Sequence, residues 1–278
     1  MKINEAIILL GGMGTRLLPL TKTIPKEMLP VYNVPSIYLT VKEAYESGIR
    51  KIIFVVTKHN KKIIENFFSK DKYLDNFLMD KPDKLEKLND IYNIINKMEF
   101  KYVYQNLKGT FGALYSAKNF IKNDNFIVMY GDEIFTNSPT KKLIKEYSQN
   151  QKMQVLIKKE DYDNLPNVGV VQIDSDKNLI NLVPKKEIAE GFTLQGRMLL
   201  NKEIFKQKNN LFKHDNDEYY LSYALLKCQE NVKTVLLDGE YFNIGEKTGF
   251  IKASIYFAMK DDKEKEELIK FINKMKGE

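Results

Sequence analysis

Between Leu9 and Pro30 the chain sets three glycines, an arginine and two lysines into one stretch, LLGGMGTRLLPLTKTIPKEMLP. Gly11, Gly12 and Gly14 let the backbone turn tightly and bring its N–H groups close to an anion. Arg16 carries the planar fork that pairs with phosphate oxygens, and Lys22 and Lys26 add point charges. The chemistry indicated is phosphate binding. Two common phosphate signatures are excluded. G-x-G-x-x-G fails because Leu17 stands at the third glycine position counted from Gly12, and Walker A fails because no Gly-Lys-Ser/Thr follows.

The elements around this stretch are those that position a phosphate loop. Residues 6–10 (AIILL), 51–57, 100–104 and 125–130 read as short apolar strands. They alternate with helix-compatible stretches at 35–47, 60–68 and 111–121, the first ending at Gly48 as a C-cap. This alternation predicts an α/β fold with a mostly parallel central sheet flanked by helices. Ligands of such sheets bind beyond the carboxyl ends of the strands, so the loops after residues 10, 57, 104 and 130 are the places to search. Residues 70–98 read as a charged surface insertion. The second half changes character, with strand-like runs at 153–158, 168–173, 179–183 and 193–199 and helical stretches at 217–229 and 246–260. In 261–276, Leu268, Phe271, Ile272 and Met275 share one helical face, which predicts a helix packed on its own domain. No repeat or Pro/Ser-rich linker divides the chain.

Composition sets the outer bounds. The 278 residues are 43% hydrophobic and 29% charged, with a net charge of +7. That charge is spread along the chain. It suggests anionic partners, and no aromatic-interleaved basic motif points to nucleic acid. The apolar runs at 6–10 and 52–56 fall far short of the ~18–20 residues a membrane span needs. The lone Cys228 excludes an internal disulfide and fits a reducing, cytoplasmic setting. Two histidines, His59 and His214, do not support a His-based metal site.

The string GGMGTRLLPLTKTIPKEMLP resembles the signature of bacterial sugar-nucleotide pyrophosphorylases. Its continuation T-K-x-x-P-K-E-M-L-P is similar to the branch that makes UDP-glucose, the UTP–glucose-1-phosphate uridylyltransferases. The resemblance recurs in order along nearly the whole chain. It reappears in QNLKGTFGALYSA (105–117), Tyr130-Gly131-Asp132, Val168-Gly169-Val170-Val171, Gly196-Arg197, Asp217-Glu218 and FNIGEKTGFIKASIYF (242–257). It implies a single Rossmann-like nucleotidyltransferase domain over 1–278. Residues 1–150 would be a nucleotide-binding half, 151–260 a smaller sugar-phosphate lobe and 261–278 a C-terminal helix.

The resemblance also implies the chemistry. A sugar 1-phosphate oxygen attacks the α-phosphorus of UTP and pyrophosphate leaves. The nucleophile is already an anion, so the task is positioning and charge neutralisation, without a general base. By similarity, Leu10, the Gly11–Thr15 backbone (Gly11, Gly12, Gly14 and Thr15) and Arg16 hold the nucleotide phosphates, with Lys26 at the α-phosphate. Asp132 holds Mg2+, a hard cation suited to oxygen ligands, and position 243 shares it. Gln105, whose amide offers donor and acceptor, reads the base, and Gly109 lets the base approach. Gly169, Lys185 and Gly196 serve glucose 1-phosphate. The implied assembly is a homodimer or dimer of dimers, formed partly through the C-terminal helices.

The sugar half departs from the family pattern. Its Glu-Lys-Pro is Val183-Pro184-Lys185-Lys186 here, which makes Lys185 the phosphate ligand by alignment with Lys186 as the alternative, and leaves the Glu without a counterpart since Glu187 is displaced. An Asn of the family is Gly191, its Tyr before Gly169 is Val168, its V-D-K-P is Tyr32-Asn33-Val34-Pro35 and its second metal Asp is Asn243. Three functions fit: a UTP–glucose-1-phosphate uridylyltransferase, a related transferase such as a thymidylyltransferase, and a catalytically weak paralogue that binds nucleotide and regulates a partner.

Overall fold

The computed structural model describes residues 3–164, 166, 169–183, 185, 191–210 and 217–276. The calls on Val168, Pro184, Lys186, Glu187 and His214 lie outside these residues. Four adjacent strands form a parallel run in the main sheet: β1 (Glu5–Leu9), β4 (Lys51–Val56), β5 (Glu99–Tyr104) and β6 (Asn125–Tyr130), in the order β5-β4-β1-β6. Two short ribbons lie apart from it. One pairs β2 (Pro30–Val31) with β3 (Val34–Pro35), and the other pairs β7 (Glu133–Phe135) with β13 (Tyr241–Asn243). The second half joins through β11 (Gly191–Asn201), which runs antiparallel to both β6 and β8 (Met153–Glu160). The hairpin β9 (Val170–Ile173) and β10 (Leu179–Val183) extends from β11, and β12 (Val232–Leu236) pairs in parallel with β8.

The unbroken apolar runs of β1 and β4 follow from burial on both faces of the sheet. Ile7, Leu9, Ile53 and Val55 face one core. There they meet Phe111 and Leu114 of α6 (Gly109–Ser116) and Leu221 and Leu225 of α8 (Leu221–Leu226). Ala6, Ile8, Ile52 and Phe54 face the other core, with Ile37 and Val41 of α1 (Ser36–Glu46) and Leu143 and Tyr147 of α7 (Pro139–Asn150). Gly48 stands just past α1 at φ +90°, and its N–H bonds to the Tyr45 carbonyl, a left-handed helix stop that glycine adopts freely.

α2 (Lys61–Phe67) lies where helix was expected. The charged insertion forms α3 (Lys72–Leu78), α4 (Pro82–Glu86) and α5 (Asn89–Lys97); only α5 reaches the core, through Ile94. The helix expected over 111–121 starts earlier and tightens into a 3-10 turn at Lys118–Phe120, and the one expected over 217–229 shrinks to α8. α9 (Lys247–Ala258) matches its expectation. α10 (Asp262–Lys276) forms, yet buries no residue: Phe271 is 58% and Met275 66% exposed. The expected packing of this helix on its own domain is therefore not seen. No described helix is long and apolar enough to cross a membrane.

Candidate active site

The loop leaving β1 is fixed at several points. Asn60 donates to the Leu10 carbonyl at 2.7 Å, and Thr21 Oγ1 donates to the Gly14 carbonyl at 2.7 Å. Gly14 holds φ +65°, which launches the 3-10 turn Thr15–Leu17, and further short turns carry the chain to Lys26 and Glu27. A Cβ on Gly12 would stand 2.9 Å from Lys26 Nζ, so the missing side chain makes room for that ammonium. Leu10 turns its side chain into the core, against the space that Gly131 leaves open.

A cavity of about 340 Å³ opens at the carboxyl ends of β1 and β6. Gly11, Gly12, Lys26, Gln105, Gly109 and Asp132 all border it, so six of the residues expected at the site from sequence line one space. The parallel strands explain this convergence, because their carboxyl ends open on one edge of the sheet. Lys26 Nζ is in direct ion-pair contact with Asp132 Oδ2. Burial opposes the Lys26 charge, but the Asp132 and Glu27 carboxylates outweigh it and hold the ammonium above its ordinary range. Arg16 lies at the rim, paired with Glu246 at 2.6 Å. Thr15 and Lys22 are exposed beside it.

Asn243 joins Asp132 through the β7–β13 ribbon, where it pairs with Glu133, while Ile244 N–H bonds to the Asp132 carbonyl at 2.9 Å. A Cβ on Gly245 would lie 3.0 Å from Asn243 Oδ1, 3.1 Å from Asp132 Oδ2 and 3.3 Å from an Arg16 nitrogen. Those two oxygens border one small volume, where Asn243 Oδ1 accepts from Gly245 N–H at 2.9 Å and Asp132 Oδ2 from Lys26, and as donors they suit a hard divalent cation once Lys26 moves away. The described residues hold no group of three or more His, Cys, Asp or Glu in metal-binding range. A cation here would draw its remaining ligands from phosphates and water.

Gln105 shows the clearest unmet demand. Its Nε2 donates to the Leu107 carbonyl at 2.7 Å, which fixes the amide orientation. Its Oε1 is buried without a hydrogen-bond donor and lies where a Cβ on Gly11 would overlap it. A buried acceptor without a partner is costly, and this one is sealed against Gly11, so the amide would have to shift to present it to a ligand N–H. Gly109 borders the cavity at φ +80°, and the space beside its Cα is taken by the Tyr219 backbone. Its freedom thus serves the docking of that segment, where Phe111 N–H meets the Tyr219 carbonyl at 2.9 Å.

The sugar-side expectations are less gathered. Lys185 Nζ lies 4.5 Å from the Tyr162 ring centre and 3.3 Å from the Asp163 carbonyl, and Lys185 does not border the cavity. Gly169 has φ +81° with open space beside its Cα. Gly196 leaves room for the Tyr130 ring, and its N–H donates to Glu133 Oε2 at 2.7 Å. Sequence reasoning did not single out Lys108, Thr110 or Tyr220, which also border the cavity, and it gave Glu218 no role there. It also gave Glu27 no role. Both carboxyl oxygens of Glu27 are buried without a hydrogen-bond partner, and burial pushes its carboxyl up to about 7. Burial, reinforced by Asp132, does the same to Glu133, also to about 7.

A family profile described as "Nucleotidyl transferase" matches residues 5–259. The chain is 34% identical over 288 residues to UTP--glucose-1-phosphate uridylyltransferase 2 of Staphylococcus saprophyticus, with 99% of each chain covered. Among solved structures it is similar to a UTP-bound UGPase from Acinetobacter baumannii, with TM-score 0.83, 26% identity and coverage of 98% of this chain and 99% of that one. It is also similar to a UDP-glucose pyrophosphorylase complexed with UDP-glucose, with TM-score 0.82, 26% identity and coverage of 93% and 100%.

Proposed function

Because the chain belongs to the nucleotidyl transferase family, we propose that it transfers a uridylyl group from UTP to glucose 1-phosphate, giving UDP-glucose and pyrophosphate. The observation that carries the choice of base is the buried, donor-less Oε1 of Gln105. The N3–H of uracil supplies the donor it lacks, whereas N3 of cytosine is an acceptor and would meet it unfavourably. The relatives named for this reaction, one similar structure with UTP and another with UDP-glucose support the same reading.

In the reaction a glucose 1-phosphate oxygen forms a bond to the α-phosphorus as the bond to the bridging oxygen of pyrophosphate breaks. Arg16 and the Gly11–Thr15 backbone hold the β- and γ-phosphates. Lys26 turns from Asp132 to the α-phosphate, where its charge stabilises the equatorial oxygens as negative charge develops. Asp132, with Asn243, would hold Mg2+, which when bound neutralises phosphate charge. Lys185 and Gly169 serve the acceptor side, with Gly196 shaping its wall. The lone Cys228 and the substrates point to the cytoplasm. The exposed apolar strip of α10, with Ile251 and Ile255 of α9 also exposed, supports a homodimer or dimer of dimers.

The test is pyrophosphate release with each of UTP, dTTP, CTP and ATP against a panel of sugar 1-phosphates in Mg2+. UTP with glucose 1-phosphate should be fastest. Faster turnover with CTP would overturn the base reading, and faster turnover with dTTP, whose base carries the same N3–H, would make the chain a thymidylyltransferase instead. UTP binding without turnover on any acceptor would make the chain a nucleotide-binding paralogue instead.

A further inference from the structure

Arg197 is the largest fully buried side chain among the described residues, 0% exposed, and it sits on β11 opposite Met129 of β6. Its guanidinium makes four hydrogen bonds. Nε donates to Glu43 Oε2 at 3.0 Å, one terminal nitrogen to the carbonyls of Tyr130 and Gly196 at 3.0 Å each, and the other to the Glu133 carbonyl at 2.9 Å. The plane lies 4.7 Å from the Phe135 ring centre. Glu43 is itself held from α7, by Thr140 N–H at 3.2 Å and Thr140 Oγ1 at 2.5 Å.

Two of these contacts have a special location. β6 ends at Tyr130 and β7 begins at Glu133, so Gly131-Asp132 is the whole connection between them. Where the chain leaves one sheet for the other, the carbonyls of residues 130 and 133 need partners outside the ladders. One guanidinium binds both, on either side of Asp132. The preceding residue adds a third grip, from Gly196 N–H to the Glu133 carboxylate at 2.7 Å. A charged group without access to water is an expensive way to satisfy carbonyls. The fork of Arg197 can reach flanking carbonyls and a carboxylate at once, which no neutral side chain and no lysine can do.

We propose that Arg197 is a positioning residue for Asp132: anchored through Glu43 to α1 and α7, it clamps the two-residue turn so that the carboxylate faces the cavity and the Asn243 oxygen. The proposal rests on the reading of Asp132 as the carboxylate that holds the divalent cation. Arg197 touches neither nucleotide nor acceptor. Its loss should therefore weaken cation binding and turnover while UTP binding without metal does not weaken.

The experiment compares Arg197→Lys and Glu43→Gln with the parent, using Mn2+ binding in the presence of UTP (followed by electron paramagnetic resonance), UTP affinity without metal, and the Mg2+ dependence of turnover. Circular dichroism establishes that each variant is folded. Arg197→Lys should weaken Mn2+ binding and raise half-saturating Mg2+ by about 10- to 100-fold, the range for groups that orient a metal ligand. Its metal-free UTP affinity should not fall, with turnover partly recovered at high Mg2+. Glu43→Gln keeps the shape of the anchor but removes its charge, and should move the same readouts in the same direction by a smaller factor. If the lysine variant does not fold, Glu43→Gln decides. Unchanged Mn2+ binding in a folded variant overturns the clamp. Parent Mn2+ binding that survives Asp132→Asn overturns the metal reading itself, and the two failures are thereby told apart.

Discussion

Lys26 is claimed from two sides, by Asp132 in contact and by the buried Glu27 carboxylate next to it in the chain. Both keep it protonated, and Gly12 keeps the path to the cavity clear. A charge aimed at the transition state contributes more there than in the ground state, so Lys26→Ala should lower kcat by about 10²–10³-fold while UTP still binds. Single-turnover kinetics with a parallel UTP titration measure the two effects, and parent-like turnover would remove Lys26 from the mechanism. Asn243 offers one carbonyl oxygen where the family resemblance places a carboxylate. Asn243→Asp restores the charge within reach of the same volume as Asp132 Oδ2, and the variant should need less Mg2+ for half-maximal activity. An unchanged Mg2+ curve would mean that residue 243 does not touch the ion.

At the scale of elements, the loop after β1 and the loop after β5 meet where Gly11 leaves space for the Gln105 amide. Gly11→Ala would put a methyl on Gln105 Oε1 and push the amide off the Leu107 carbonyl. The expected result is a UTP KM raised by about tenfold or more with kcat little changed, because a recognition contact is lost and the transferring phosphate is untouched. Steady-state kinetics with UTP and CTP check it, and discrimination between the two bases should narrow. The loop after β1 was legible from its strand, whereas the Gln105 loop follows the half-exposed β5 and was marked by the resemblance of residues 105–117. β1, β4 and β6 are buried on two faces and read as plain apolar runs, and the glycines and Arg16 stand at the end of such a run. The β7–β13 ribbon was not legible. Its strands have three residues each, too few for any period to show, yet this ribbon brings Asn243 to Asp132. β12 was missed although Val232, Thr234 and Val235 are buried, because it is a single five-residue run interrupted by Lys233. Glu27 and Arg197 stand in segments that the resemblance picks out, but only the fold reveals that both are sealed from water.

The whole molecule carries the cost of those sealed carboxyl groups. Glu27 titrates at about 7 in the fold against an ordinary 4.5. Its contribution is fully favourable below pH 4.5. It declines as the unfolded chain ionises first, and levels off above about pH 7, a loss on the order of 3 kcal/mol. Glu27→Gln should therefore flatten the fall in stability between pH 5 and pH 8, as urea titrations at both pH values would report; an equal fall in the variant would clear Glu27 of the effect. The C-terminal helix acts at the same scale. Phe271→Glu places a charge in the exposed strip of α10, and sedimentation velocity should then find a smaller species than for the parent; an unchanged assembly would move the interface elsewhere. One further property follows from the resting ion pairs. Lys26 and Arg16, the cations proposed to take the triphosphate, are each bonded to a carboxylate of the chain, and one of those, Asp132, is the proposed metal ligand. Triphosphate arriving alone must part Lys26 from Asp132 and leaves that carboxylate uncompensated. Metal arriving alone does the converse. Each ligand thus removes the obstacle to the other, so their affinities are reciprocally linked, and the chain selects the metal–nucleotide complex over either component.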